Sequence, residues 1–263
     1  MANPILDNGT ASPQSIYESF APGGLNGVNG GYHPIGTRGR LGERVFYYAS
    51  HSLSTTLALG SIMGNAANVA NDQNRTITAT AGSFTMTLTS GGTVNANTYA
   101  EGYVLFDHGT GLNQYYRIKS HPADASNVVT LTLYDPIVTT VSSSPTGGLQ
   151  KNLFADVVVF PGNGQAAVCV GVPAVTIPAG NTNQQYYWIQ TQGPAALSLE
   201  GTAVLPTVGM AIVPATDATA SAGQGKAAVE TGTTADTVPL IGYVLIPPGA
   251  DEDAGLVDLR IRG

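Results

Sequence analysis

The sequence carries few groups suited to acid–base or metal chemistry, and they are scattered along the chain. Its four histidines, His33, His51, His108 and His121, include no His-Glu-x-x-His segment and no pair at helical spacing, the patterns typical of zinc sites. Asp107, His108 and His121 flank one predicted hairpin, so a metal there is one interpretation. The other is that these loop histidines only form hydrogen bonds. We favour the second and predict no metal site and no cofactor.

A cysteine nucleophile is also disfavoured. The single cysteine, Cys169, lies between Val168 and Val170 in an apolar run, with no cationic neighbour to stabilise a thiolate. No Gly-x-Ser-x-Gly segment is present, so the serine elbow of the α/β-hydrolases is missing from the sequence. We therefore expect Cys169 to be a small buried apolar residue.

The acidic residues and glycine turns are read as structural. The one acidic cluster, residues 251–253, follows two prolines and a glycine at 247–249, which predicts a solvated hairpin tip. A glycosidase needs two carboxylates that face each other across a cleft. The alternative interpretation of the acidic cluster is a calcium ion bound at the hairpin tip. The segments 109–111 and 162–164 lie between predicted strands, so we interpret them as hairpin turns rather than phosphate-binding loops. These patterns predict that the protein is not an enzyme.

The aromatic run Tyr186, Tyr187 and Trp188 could stack on sugar rings. In a strand, however, successive side chains point to opposite faces. The simpler interpretation therefore places one of Tyr187 and Trp188 in the core and the other on the surface.

Composition limits the classes of partner. Of 263 residues, 17 are acidic and 10 basic, giving a net charge of −7. A charged fraction of 10% is far below that of an ordinary soluble domain, which is about 25%. Nucleic acid binding depends on Lys and Arg, so this charge argues against a nucleic acid partner. We predict no membrane-spanning helix and no signal peptide, because no apolar stretch reaches about 18 residues and the first residues lack a basic segment followed by an apolar one.

Hydrophobic periodicity predicts an all-β fold with less than about 10% helix. Strict alternation at 84–89, 130–134 and 257–262 indicates half-buried antiparallel strands. Short apolar runs predict strands that are buried on both faces; they lie at 103–106, 157–160, 168–170 and 243–246. We also interpret 54–63 as a strand, because it is rich in Ser and Thr and interrupted by Gly60.

Turn-rich segments divide the chain. Residues 1–40 contain repeated Gly and Pro and are interpreted as an extended, mostly irregular N-terminal arm. Residues 72–148 predict a smaller β domain that ends in a Ser-, Pro- and Gly-rich linker. This smaller domain is inserted into a main β domain formed by 41–71 and 149–263. Each of the two β units is expected to be an antiparallel sandwich or barrel-like.

The arm is the predicted partner-binding segment. Its spaced apolar residues suit a segment that becomes ordered on another protein, although a disordered terminus is the alternative interpretation. The predicted anchors are Ile5, Leu6, Ile16, Tyr17, Phe20, Leu25 and Tyr32. Arg38, Arg40 and Arg44 form the one basic cluster, placed where the arm meets the body.

Several short segments resemble phage head decoration (cement) proteins and other structural virion proteins of tailed phages. The first is 38–49, followed by 57–62. In the second half, 172–180, 187–195 with its Trp-x-Gln-x-x-Gly pattern, and the closing segments 240–244 and 256–259 are similar. The likeness covers about half of the chain. The smaller decoration proteins lack both the insertion at 72–148 and the long arm.

The resemblance implies a structural role on the virion. A cement protein binds the phage major capsid protein between capsomers on the outer surface of the capsid, after synthesis in the host cytoplasm. It also implies a homotrimer, in agreement with the apolar surface that so few charged residues must leave. The capsid-binding residues would be the seven apolar anchors and the three arginines. The alternative is a glycan- or receptor-binding fibre or spike module.

Overall fold

The computed structural model describes residues 33–51, 55–65, 72–141, 145–161, 167–179, 185–201, 204–215, 222–228 and 239–262. The seven predicted apolar anchors, Ile5 to Tyr32, lie outside these residues. Within them the all-β prediction is confirmed, since the regular elements are strands and no α-helix occurs. In chain order, the strands are β1 (Arg38–Leu41), β2 (Arg44–His51), β3 (Met63–Gly64), β4 (Arg75–Ala79), β5 (Thr85–Thr89), β6 (Tyr103–His108), β7 (Tyr115–Ser120), β8 (Val128–Leu133), β9 (Thr146–Gln150), β10 (Val158–Val159), β11 (Cys169–Pro173), β12 (Gln185–Glu200), β13 (Ala211–Pro214), β14 (Gly225–Ala227), β15 (Gly242–Ile246) and β16 (Ala254–Arg260).

The chain divides into two compact units. The main unit comprises Met1–Ala66 and Leu153–Gly263, and the barrel unit is Ala67–Asn152. The predicted boundaries, 71/72 and 148/149, differ from these by a few residues. The barrel unit is therefore a continuous segment lying between two parts of the main unit's sequence.

The long strand β12 is the spine of the main unit. Its first half pairs antiparallel with β2 over Gln185–Gln192, while Gln190 and Ile189 also pair with β11. Its second half pairs with β16 over Gln192–Ser198, and its last two residues pair in parallel with β14. The strands β12, β14, β13, β15 and β16 form a closed circuit of pairings. Closure of this kind leaves few unpaired backbone groups at sheet edges.

The core of the main unit follows from this pairing. The inward residues of β16 and β15, Val257, Leu259 and Val244, pack with Leu197 and Leu199 of β12. A second apolar group, which includes Tyr187 and Ile189, lies around the other half of β12. Both halves of the spine therefore have a buried face, and burial of apolar area is the main stabilising contribution.

The barrel unit is a closed six-stranded antiparallel barrel with the order β4-β5-β8-β7-β6-β9. Alternate residues of each strand face the interior, as the period-two pattern predicts: Met86 and Leu88 of β5 and Leu131 and Leu133 of β8 are buried. Phe84 departs from the prediction, because it lies just before β5 and is 52% exposed.

Two runs predicted to be buried on both faces are buried on one face only. In β6, Val104 is buried whereas Tyr103 and Leu105 are exposed, and in β15, Val244 is buried whereas Tyr243 and Leu245 are exposed. The physical reason is that antiparallel sheets commonly cover one face with the core and leave the other open. These strands therefore place large apolar side chains on the surface.

Two further predictions are corrected at element level. In the segment predicted as a strand at 54–63, the described residues 55–62 form an isolated bridge, Leu57 to Ile177, and a turn at Leu59–Gly60, and the strand β3 begins only at Met63. Residues 38–40, predicted to belong to the irregular arm, form β1 and pair with β2 in a hairpin. Gly42 makes that tight turn possible because its φ of +60° is a left-handed conformation that glycine adopts readily.

Candidate functional site

The His121 side chain forms hydrogen bonds with backbone groups in the interior of the barrel unit. Its Nε2 accepts a hydrogen bond of 2.9 Å from the backbone N–H of Tyr99, so the ring proton must be on Nδ1, which donates to the carbonyl oxygen of Pro122 at 2.8 Å. The ring is buried, and burial lowers its pKa. Both ring nitrogens are thus occupied, and neither is free to bind a metal.

Asp72 contacts Tyr99, the residue whose backbone N–H is bound by His121. The Tyr99 hydroxyl donates a short hydrogen bond to Oδ2 of Asp72, and both residues are buried. Burial raises the pKa of Tyr99, and the Asp72 carboxylate raises it further because a tyrosinate beside a carboxylate would be repelled. Oδ1 of Asp72 has no hydrogen-bond partner among the described residues. The pair ties the start of the barrel unit to its interior.

The other two residues considered as metal ligands, Asp107 and His108, are either hydrogen-bonded to a protein group or exposed. Asp107 accepts a hydrogen bond of 2.5 Å from the Thr146 hydroxyl, and His108 is exposed. Across the described segments, no group of three or more His, Cys, Asp and Glu side chains is arranged to hold a metal ion. The same segments contain no helix long and apolar enough to cross a membrane.

The histidines of the main unit are part of its packing. Both ring nitrogens of the buried His51 lie within hydrogen-bonding distance of backbone carbonyl oxygens, Val157 O at 2.9 Å and Thr55 O at 2.7 Å. His33 packs on the rings of Tyr48 and Trp188, and burial lowers its pKa. Each histidine therefore contacts its own unit.

Cys169 is placed as the sequence predicts. It is 4% exposed at the start of β11, within the apolar core of the main unit. Burial raises the pKa of its thiol to about 12, so the nucleophilic thiolate is scarce at neutral pH.

The acidic cluster lies in the loop between β15 and β16, as predicted, and is exposed. Asp251 accepts a hydrogen bond of 2.5 Å from the backbone N–H of Gly201, and the carbonyl of Asp253 accepts one from Leu199 N–H. These contacts fix the loop against the end of β12.

The prediction that one of Tyr187 and Trp188 lies in the core and the other on the surface is wrong, since both are buried. Tyr187 faces one apolar group, and Trp188 packs with Phe46 and Tyr48 on the opposite face of the sheet. The main sheet is covered on both sides at this point. Trp188 therefore has no exposed ring face on which a sugar could stack.

The three arginines predicted as capsid-binding do not share a face. Arg38 and Arg40 lie two residues apart on β1 and are exposed, whereas Arg44 follows the turn on β2. Arg44 pairs with Leu41, so it lies on the face opposite Arg40. Its guanidinium donates two hydrogen bonds to Oε1 of Gln190, at 2.9 and 2.6 Å, and lies 4.9 Å from the ring centroid of Phe46.

Gln190 organises the centre of the spine strand. It is 1% exposed, and its amide nitrogen lies 2.9 to 3.1 Å from the carbonyl oxygens of Gln192, Gly193 and Pro194. At this point β12 has an irregularity opposite β2 between Gln190 and Gln192, and Gly193 adopts a φ of +83°. The Trp-x-Gln-x-x-Gly pattern thus provides a core ring, an amide that satisfies irregular backbone, and a left-handed glycine.

The main unit also presents apolar side chains that sequence reasoning assigned to the core. A bulge in β15 between Val244 and Ile246 breaks the alternation against β16, so that Leu245 and Ile246 are both exposed, at 43% and 59%. The exposed apolar residues of β15, namely Tyr243, Leu245 and Ile246, form what we call the β15 apolar surface. The sequence signal was the unbroken run 243–246, which is too apolar for a strand with one solvated face.

Comparison with known proteins gives no match to a family model, a curated protein or a solved structure.

Proposed function

We propose that this chain is a structural virion protein that decorates the outside of a phage capsid, where it binds the major capsid protein between capsomers and stabilises the shell. The proposal begins from the resemblance of several segments to cement proteins. The geometry supports a structural role because His121, Cys169 and Gln190 are each committed to the interior of a unit.

The observation that carries the proposal is the β15 apolar surface. Exposed apolar side chains that lie together on a strand are typical of contacts with other proteins. The bulge in β15 turns two neighbouring aliphatic side chains, Leu245 and Ile246, outward together. Bulges are common where a strand re-aims side chains for function. This surface is the proposed contact with the major capsid protein or with a neighbouring copy in a homotrimer.

The test is a charge placed in this surface. Ile246→Asp should leave the fold intact, since Ile246 is exposed, but should greatly reduce the copies retained on capsids stripped of this protein. Val138→Asp is the matched control, because Val138 is 75% exposed and lies in the barrel unit. Copies per particle are measured by gel densitometry. Equal retention of both variants and the unchanged protein would contradict the proposal.

A further inference from the structure

The outer face of the barrel unit carries exposed tyrosines on the neighbouring strands β6 and β7 and just after the next strand, β8. Tyr115 of β7 is 68% exposed and Tyr103 of β6 is 44% exposed, and their ring centroids lie 6.2 Å apart at 61°. Leu105 pairs with Tyr115 across the two strands, and Tyr103 pairs with Arg117. Directly paired residues of antiparallel strands share a face. We call this set, with Tyr134 just after β8, the tyrosine face.

One edge of the tyrosine face is a pre-arranged polar network. Arg117 donates to Oε2 of Glu101 at 2.5 Å, and the Tyr134 hydroxyl donates to Oε1 of the same carboxylate at 2.5 Å. The Arg117 guanidinium lies over one face of the Tyr134 ring, 5.1 Å from its centroid, and Tyr134 is less exposed than Tyr115. Arg117 therefore has further N–H donors held in a fixed orientation.

Glu101 holds this network from a strained backbone position. Its φ is +61°, a left-handed conformation that is costly for a residue with a side chain, and its N–H donates to Ile118 O at 2.8 Å. Such strain persists where the surrounding structure imposes it, and it concentrates at functional positions. The conformation places the carboxylate between Arg117 and Tyr134.

The chemistry of the tyrosine face differs from that of the β15 apolar surface. The β15 apolar surface is mainly aliphatic, which suits another protein. The tyrosine face combines flat aromatic rings with a carboxylate and a guanidinium. A pyranose ring presents the complementary pair of surfaces: C–H groups that pack on an aromatic face, and hydroxyls that bond to planar polar groups. An open aromatic ring beside planar polar groups is the combination that a carbohydrate requires.

Charge also fits a saccharide partner. The net charge of the whole chain is −7, but the barrel unit contains five acidic and four basic residues. Two of those basic residues, Arg117 and Lys119, are exposed on β7. The barrel unit therefore does not strongly repel acidic polysaccharides, and neutral ones are equally compatible with it.

We infer that the tyrosine face of the barrel unit is a carbohydrate-binding surface, with Tyr115 as the stacking platform and Arg117 as the hydroxyl- or carboxylate-binding group. This binding goes beyond the proposed capsid role and does not depend on it. It differs from the aromatic run at 186–188, which is buried at Trp188.

Binding is tested on the purified full chain with two sets of probes. The neutral set is cellohexaose, maltohexaose and chitohexaose, and the acidic set is oligogalacturonate and oligoalginate of similar length. Saturation-transfer NMR should show transfer from aromatic protons to the sugar C–H protons of at least one probe. The set that binds distinguishes neutral from acidic saccharides.

Variants locate the site. Tyr115→Ala should weaken binding of the responding probe about tenfold, the scale of losing one aromatic stacking partner. Arg117→Met should also weaken it, while Tyr243→Ala should not, because Tyr243 is an exposed aromatic residue of the main unit. Unchanged thermal unfolding shows that the variants are folded.

Several results would overturn the inference. They are an absence of transfer to all five probes, an affinity that Tyr115→Ala leaves unchanged, and an equal loss with Tyr243→Ala. A change in sedimentation on Tyr115→Ala, without any change in sugar binding, would assign the face to self-association instead.

Discussion

The backbone N–H of Tyr99 donates a 2.9 Å hydrogen bond to Nε2 of His121, and this one contact makes the core of the barrel unit sensitive to protons. A protonated imidazole carries a hydrogen on Nε2 and cannot accept that bond. The same ring is buried, which also disfavours the cation.

We expect the barrel unit to lose stability as the pH falls below about 6.5, the ordinary pKa of histidine. Burial lowers the pKa of folded His121, so the unfolded chain takes up the proton first. Above this pH, His121 does not change the free energy of unfolding. The loss of stability grows as the pH falls towards the pKa of His121 in the folded protein. Below that pKa the loss stays constant. Hydrogen exchange of barrel amides at about pH 7.5 and about pH 5 measures it.

The control for this effect is His108→Asn, which removes an exposed histidine and should leave the pH dependence unchanged. His121→Gln should flatten the dependence between those two pH values. A pH response that survives in His121→Gln would assign it to other groups.

Gln190 is predicted to be critical for the main unit. Gln190→Leu removes the donor to irregular backbone carbonyls and the acceptor for Arg44, so buried polar groups lose their partners. Each such loss costs about 1–3 kcal/mol, and we expect a total of about 3 kcal/mol. Thermal unfolding measures it. Gln192→Leu, at the neighbouring and less buried position, should cost much less.

Removal of residues 1–32 should leave both units folded and abolish attachment to capsids. The predicted anchors lie in this segment, whereas residues 38–41 pair with β2 and should be retained. A deletion of 1–40 should also destabilise the main unit, because it removes that pairing. Attachment of the 1–32 deletion at the level of the intact protein would show that the arm is not the capsid-binding segment.

Attachment should depend little on salt or chelators. Ion pairs at exposed surfaces contribute at most about 1 kcal/mol and are screened by salt, whereas apolar contacts are not. Intact particles are washed in molar salt or in EDTA, and the copies retained are counted. Loss in EDTA would reveal a metal at the interface, and loss in salt alone would reveal an electrostatic one.

Purified protein should sediment as a homotrimer at micromolar concentration without capsids, because association covers apolar surface that a monomer would leave open. Ile246→Asp should shift it towards the monomer if the β15 apolar surface mediates association. A monomer for the unchanged protein would exclude the trimer.

Local pattern predicted the strand character of the fold and several of its interior residues. Alternation placed Met86, Leu88 and Leu131 inside the barrel, because side chains in a strand alternate with a period that depends only on the backbone. The apolar surroundings of Cys169 likewise predicted its burial. Local pattern failed at Tyr103 and Tyr243, since an apolar run does not specify how many faces of its strand are covered.

The candidate sites were less predictable. Arg38, Arg40 and Arg44 are close in sequence, but the turn at Gly42 places Arg44 on the opposite face from Arg40. Tyr103, Tyr115 and Tyr134 are far apart in sequence, and the pairing of β6, β7 and β8 brings them to one face. Neither arrangement can be read from spacing, because both depend on strand register.

The sequence by itself determined the all-β class, the low charge and the burial of alternating residues, since composition and a period of two act over a few neighbouring residues. Only the tertiary structure decided that β12 pairs with four other strands, that a bulge turns Leu245 and Ile246 outward, and that three distant tyrosines share a surface. The physical reason is that register and closure are fixed by long-range backbone hydrogen bonds and by competition for the core. Those interactions join residues whose separation along the chain carries no information about their distance in space.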